Sequence, residues 1–588
     1  MNASSAPPRA TIRARIHESA VRRVTRTYAA TLAEILAETL QNARRAGATR
    51  VRIAVSPDGD PKDGDGSGLT VTVSDDGQGV ADPAVLLSFG ENGWPEELVR
   101  REDAAGFGFA SLSRRGCAVS SRPRSPDGTT MPGWRVALAT EHFLGEAGAA
   151  VLADDAAPFP HGTSVSFPAT EPLSAIRNAA AHAALHFPLP AVLHDGTAGD
   201  RGSGEALPRR AFLDGAVHGE LWRGLAFGVF RDRRRGWNDP DLNFLGLTLP
   251  VRLPTVETVH GPAWAVRADV RDCPDLELVL PARKEAVENA FLAEMREAAR
   301  LAIYRAMADD PSPRPAFVDR ERAREAGIEI PEPPPMLRPW RPALADADDW
   351  RDPPAPAIAA EDALVMAFDP EPPEAHALWR AAVRVGVSSR LFEADDRLAG
   401  YGWHDSLGRV TATAVRLADG AGGWTPAGDL PAPERAGTLP AALPPRPDGI
   451  RVEMAVRPPS GRPAVIDLPA DLAFAGEAWS HLEDARPLVT KDSALRPHDL
   501  AWFLAAAFFA ADDDVDADSR ETQRDRFEEE ALHLATRLLV SDDDACRNSL
   551  ADAVRRELMW LCPKDRDVVI RIRRPDVTVT LGDAAQET

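Results

Sequence analysis

The chain has 588 residues, 44% hydrophobic and 27% charged, and 68 Lys and Arg against 90 Asp and Glu give it a formal charge of −22. Such a balance is ordinary for a globular protein of roughly three or four domains, and it excludes a general nucleic-acid coater, which needs a basic surface to neutralise phosphates. Cys117, Cys273, Cys546 and Cys562 lie far apart without a C-x-x-C spacing, which excludes a zinc ribbon or a disulfide framework, and the longest apolar run, "LAWFLAAAFFA" (500–510), is too short to cross a membrane.

The opening segment lacks an apolar signal core, so a soluble cytoplasmic protein with no membrane partner is expected. Residues 12–46 read as helix, with Leu32, Ile35, Leu36 and Leu40 as an apolar stripe and Gly47 as the stop. "RVRIAV" alternates Val51, Ile53 and Val55 on one face. After the turn-rich "SPDGDPKDGDGSG", the strand "LTVTVSDDGQGV" alternates Leu69, Val71 and Val73, and the two strands are expected to pair antiparallel. "GFGFASLSRRG" (106–116) reads as a glycine turn opening a helix, and "GCAVSSRP", "GWRVALAT" and "GTSVSFP" as strands that complete a first domain near residue 190. Over 205–310 follow the strands "LAFGVFRD", "LGLTLPVRLP" and "AWAVRADV", then the helix "KEAVENAFLAEMREAARLAIYRAM". A proline-rich linker lies within 311–360. Residues 361–588 mix the strands "GIRVEMAV", "VVIRIRR" and "VTVTL" with helices near 498–511, 523–540 and 545–560. The class is α+β, without a fixed-period repeat.

Four features fall in order along the first domain. Glu38 and Asn42 sit one turn apart on the first helix, beside its apolar stripe, where they can point into a cleft rather than bulk water. A carboxylate can deprotonate water, and a carboxamide oxygen is a hard ligand suited to Mg²⁺. Asp75-Asp76-Gly77-Gln78-Gly79 ends a strand, where a carboxylate can accept a hydrogen bond from an adenine amino group and glycines let backbone approach a flat base. Gly106-Phe107-Gly108 offers backbone N–H groups to phosphates, and the hydroxyl of Thr163 can complete a base pocket.

The set resembles the GHKL superfamily of ATPases: gyrase, the ninety-kilodalton heat-shock chaperone, histidine kinases and MutL. "ETLQNARRAGATRVRIAV" is similar to the MutL N-box, "DDGQG" to the adenine-aspartate box, "GFGFASL" to the glycine box that ends the lid, and "GTSVSF" to the last box. "LLSFGENGW" (86–94) resembles the start of the lid in MORC ATPases. The resemblance covers about residues 20–170 and implies a Bergerat-type α/β sandwich over 1–190 that binds ATP and Mg²⁺. It implies Glu38 as the general base, Asn42 as the Mg²⁺ ligand, Asp75 as the adenine partner, and Gly77 and Gly79 as the walls of the base pocket. Gly106 and Gly108 would cap the phosphates, residues 88–105 would form the lid, and Thr163 would support Asp75. Two positions depart from the pattern: Arg45 stands where MutL-type proteins often carry an acid, and Asp76 where Asn is common.

The resemblance also implies a transducer-like α/β domain over 200–310, whose "PDLELVLPARKEAVEN" presents Lys284, or less readily Arg283, to the γ-phosphate. The function expected is a nucleotide-driven clamp or remodeller of a protein or DNA client, with an ATP-dependent homodimer and a C-terminal region, 361–588, of unassigned role. A histidine-kinase-like phosphotransfer protein is one alternative, but only His17 precedes the N-box and it leaves no room for a dimerisation hairpin. A nucleotide-binding scaffold with negligible turnover is another. "DGDPKDGDG" departs from a calcium loop at Lys62 and Leu69, while "FRDRRRGW" and "ADDDVDAD" read as charged hairpin tip and solvated turn.

Overall fold

A computed structural model describes residues 31–57, 68–88, 94, 98, 108–125, 127–154, 159–197, 204–231, 240–279, 285–342, 355–358, 363–430, 435–436, 439–440, 443, 446–475, 482, 485–512, 518–564, 566–573 and 575–583. The chain divides into two units, Met1–Pro331 and Glu332–Thr588.

Helix α1, Leu32–Arg45, starts where Thr31 and Glu34 close a capping box. Leu32, Ile35, Leu36, Leu40 and Ala43 are buried on one face, and Gly47, at φ 70°, ends the helix. Strand β1, Val51–Pro57, buries Val51, Ile53 and Val55, and pairs antiparallel with β2, Leu69–Asp75, placing Ile53 opposite Val73. Strands β3 (Cys117–Arg122), β4 (Trp134–Leu138), β5 (Val151–Ala153), β6 (Gly162–Ala169), β7 (Ala191–Asp195) and β8 (Glu205–Ala206) complete an eight-stranded sheet in the order β5-β4-β3-β6-β2-β1-β7-β8. Only the β1–β7 pairing is parallel. Helix α2, Leu173–Ala184, packs on α1, and both bury apolar side chains in the core of this sheet. The helices thus form a layer over a mixed sheet, the two-layer solution expected of α+β proteins.

A second sheet in the same unit comprises β9 (His218–Trp222), β10 (Leu225–Arg231), β11 (Leu242–Phe244), β12 (Leu247–Leu249), β13 (Thr255–Val256) and β14 (Trp264–Val270). Helix α3, Ala290–Ala308, covers it with Met295, Ala299, Ala302, Ile303 and Met307. Its start falls later than the sequence reading because Asn289 caps it, accepting from the Leu292 N–H at 3.0 Å. "LGLTLPVRLP" yields only β12, since Pro250 and Pro254 have no N–H for a ladder.

In the second unit, Leu364–Met366 pairs parallel with both Leu391–Glu393 and Gly408–Ala418, and Gly408–Ala418, Ile450–Arg457 and Ala464–Ala470 continue antiparallel. Helix Pro372–Arg384 seals this core with Leu378 and Ala381. A separate core joins the hairpin Leu472–Ala475/Arg486–Val489 to helices Pro497–Phe508 and Arg520–Leu539. Arg380 grips Asp471 at 2.9 and 2.8 Å. The final hairpin, Arg566–Arg573 and Asp576–Asp583, leaves Val569, Ile572, Val577, Val579 and Leu581 exposed. No described helix is long and apolar enough to cross a membrane.

Candidate nucleotide site

The end of β2 delivers Asp75 into register with Thr163 on β6. Its Oδ1 accepts from the Gly77 N–H at 2.8 Å. The carboxylate is intermediate in exposure yet crowded by protein. That burial pushes its pKa up to about 6, although the N–H groups of Gly77 and Thr163 pull the other way. Gly77 is the only residue type that fits its place, because a Cβ there would stand 2.7 Å from the Ala46 Cβ and 2.8 Å from Asp75 Oδ1. Gly79, at φ 72°, brings the turn against the Arg122 carbonyl. Gly162, at φ 125°, would overlap the Asp75 carbonyl oxygen if it carried a side chain.

Three neighbours that the motifs do not name hold this arrangement. Ser121, buried on β3, accepts from the Val80 N–H at 2.8 Å and lies 3.1 Å from the Gly162 carbonyl and 3.2 Å from the Thr163 hydroxyl. Trp134 Nε1 donates to the Val80 carbonyl at 2.9 Å, and His161 Nδ1 lies 2.9 Å from the Gly77 carbonyl. Ser121 carries one visible signal: it falls on the inward phase of "CAVSSR", after Cys117 and Val119, where an apolar residue is expected.

Asp76 has different partners. Its carboxylate accepts from the Thr49 N–H at 2.7 Å, the Thr49 hydroxyl at 2.6 Å and the Arg50 N–H at 3.1 Å, so it pins the α1–β1 connection.

The other end of the site lies along α1. Glu38, Asn42 and Ala46 follow one another at i+4, a run of about 12 Å at 1.5 Å per residue. Ala46 meets Gly77, and its carbonyl accepts from the Gln78 N–H at 2.8 Å, which anchors the aspartate turn to the helix end. The Arg45 side chain, 5% exposed, donates from Nη1 to Asn42 Oδ1 at 3.1 Å and lies 3.9 Å from Glu38 Oε2. The Mg²⁺ that the resemblance implies does not fit this arrangement, because the oxygen it would use accepts from a guanidinium. Glu38 also lines a cavity of about 770 Å³ with Gln41, Arg45, His186, Phe244 and Arg267, between the helices of the first sheet and the second sheet. There Gln41 Nε2 donates to the Leu245 carbonyl at 2.8 Å, and Gly246, at φ 103°, presses on Phe187, where a Cβ would stand 2.9 Å from the Phe187 Cα.

Gly108 opens a five-residue 3₁₀ turn, Gly108–Leu112, packed on α1, in place of the expected helix. Gly116, at φ 70°, turns the chain into β3 and leaves no room for a longer element. Gly106, Arg283, Lys284, His17 and most of the 88–105 segment lie outside the described residues. The structure therefore gathers Asp75, Gly77, Gly79 and Thr163 at one end, and Glu38 and Asn42 around Arg45 at the other.

No protein-family model and no curated protein matches the chain. Among solved structures, it is similar to the N-terminal domain of a DNA repair protein at 10% identity and TM-score 0.27, over 48% of this chain and 97% of that one. It is also similar to the B-subunit of the DNA gyrase from Myxococcus xanthus at 14% identity and TM-score 0.30, over 49% of this chain and 95% of that one. Both likenesses are distant, and the chemistry of the site rests on its own residues.

Proposed function

We propose that the first unit binds ATP and that the protein is an ATPase whose nucleotide state clamps or remodels a macromolecular partner, protein or DNA. The observation that carries the reading is Asp75: a carboxylate at a strand end, lifted by burial, walled by glycines that admit no side chain, and tied through Gly77 and Ala46 to the helix bearing Glu38 and Asn42. An adenine amino group would supply the donor that an ionised, crowded carboxylate needs, and the α1 stripe would run from the base toward the phosphates. Glu38, at the far end of the line from Ala46 through Asn42, would take a proton from an attacking water. Lys284 is the cation proposed to sense the γ-phosphate. ATP would then differ from ADP in what it touches, as a conformational switch requires.

Calorimetry of the full chain with a non-hydrolysable ATP analogue tests this reading. Micromolar-range binding that is lost in Asp75→Ala, with the thermal transition retained, is the expected result. Equal affinity in Asp75→Ala would remove Asp75 from the site. One observation favours the second reading, a binding scaffold with negligible turnover: Glu38 faces Arg45 rather than standing free. Phosphate release by the full chain, lost in Glu38→Ala, separates the two.

A further inference from the structure

Arg45 departs from the N-box that the segment otherwise resembles, and its position has chemical content. It lies three residues after Asn42 and seven after Glu38, so all three share one side of α1. Its guanidinium is almost wholly buried, 3.1 Å from the carboxamide oxygen of Asn42 and 3.9 Å from the carboxylate of Glu38. Arg44, the adjacent cation, points elsewhere and donates to Gln41 Oε1 at 3.2 Å.

We propose that Arg45 is a built-in cation that takes the place of a divalent ion at this end of the site, so that nucleotide binds with little dependence on Mg²⁺. The proposal rests on the nucleotide reading above. Two cations drawn to one oxygen repel each other. Arg45 holds the advantage because it is tethered, permanently charged and already out of water, whereas Mg²⁺ sheds its waters reluctantly and demands a near-octahedral shell. Asn42 and Glu38, the two groups that would otherwise favour a metal here, already meet the guanidinium. Among the described residues, no group of three or more His, Cys, Asp or Glu is arranged to hold a metal elsewhere.

The test is the affinity of the full chain for a non-hydrolysable ATP analogue, measured by calorimetry with Mg²⁺ and again with EDTA. The wild type and Arg44→Ala are expected to lose less than about threefold on chelation, and Arg45→Ala about tenfold or more, because its Asn42 oxygen becomes available to the metal. Arg45→Lys, which keeps the charge, should stay near the wild type. Circular dichroism reports the fold of each variant, and if Arg45→Ala does not fold, the wild-type ratio alone decides. A wild type that loses tenfold or more on chelation overturns the proposal while leaving the nucleotide reading intact. So does an Arg45→Ala variant with the wild-type ratio. No binding by any form in either buffer overturns the nucleotide reading and this proposal with it.

Discussion

The two ends of the candidate site are built from different materials. Around Asp75 the contacts are mostly backbone: the Gly77 N–H, the Thr163 N–H, and turns at Gly79 and Gly162 that only glycine makes comfortably. Around Glu38 they are side chain to side chain, with Arg45 spanning Asn42 and Glu38. Backbone contacts tie the first end to strand register, so it is formed once the sheet is formed. Side-chain contacts tie the second end to rotamers, and on the proposal above a single residue there, Arg45, would decide which ion it prefers. On the function proposed above, recognition would belong to the rigid end and chemistry to the adaptable one.

The strongest way to break this comparison is at the adaptable end. Glu38→Ala should keep analogue affinity and lose roughly 10²–10⁴-fold in phosphate release, the usual cost of removing a general base. Phosphate release equal to wild type would make Glu38 structural. At the rigid end, Asp75→Ala should weaken the analogue by about thirtyfold, corresponding to about 2 kcal/mol for a lost charge-assisted hydrogen bond. Asp75→Asn sharpens the contrast because it separates binding from stability. The Asp75 pKa rises on folding from 3.8 to about 6, so the folded state holds its proton longer than the unfolded one. Stability from this group is therefore greatest below the unfolded value and falls as pH rises through about 6, by about 3 kcal/mol. Asp75→Asn should accordingly melt higher than the wild type at pH 8, with the gap closing toward pH 4, while losing nucleotide. A gap that stays constant with pH would show that the carboxylate is not crowded as described.

The same titration predicts a pH profile for binding. An amino donor prefers the carboxylate, so analogue affinity should be flat above about pH 6 and fall by about tenfold per pH unit below it. Calorimetry in two buffers of different ionisation heat should register proton release on binding near pH 6, and no release would sever Asp75 from the ligand. The smallest expected effect lies between the two sheets. Gln41→Ala removes the hydrogen bond to Leu245 and should cost about 1 kcal/mol in denaturant unfolding, with analogue affinity within about twofold. A loss of affinity comparable to that of Asp75→Ala would mean that the second sheet sets the shape of the base pocket.

The rigid end was also the legible one. Alternation of Val51, Ile53 and Val55, the stop at Gly47 and the glycines after Asp75 are local signals, and each local rule agrees with the fold around it. The partners of those residues were not legible, because Ser121 and Trp134 reach Val80 only through strand pairing across 41 and 54 positions. The fate of Arg45 shows the other limit. Its spacing from Asn42 and Glu38 is plain on a helical wheel, but whether a buried cation turns toward them or toward solvent depends on packing. Asp76 illustrates the same point, since its carboxylate closes on Thr49 and Arg50, 27 and 26 positions away. In the second sheet, prolines cut one expected strand to three residues, a local rule outweighing an apolar run.

The parallel pairing of β1 with β7 sets a timetable for biosynthesis. Val51 pairs with Ala191, so β1 leaves the ribosome 140 residues ahead of one of its two neighbours. At roughly 5–20 residues per second, the nascent chain spends roughly 7–28 seconds with that edge of β1 unsatisfied. β2, arriving first, shields only the opposite edge. The strand that carries the chain out of α1 is thus exposed to wrong partners for seconds in every round of translation, and the sheet beneath the candidate site closes only after α2 has been made.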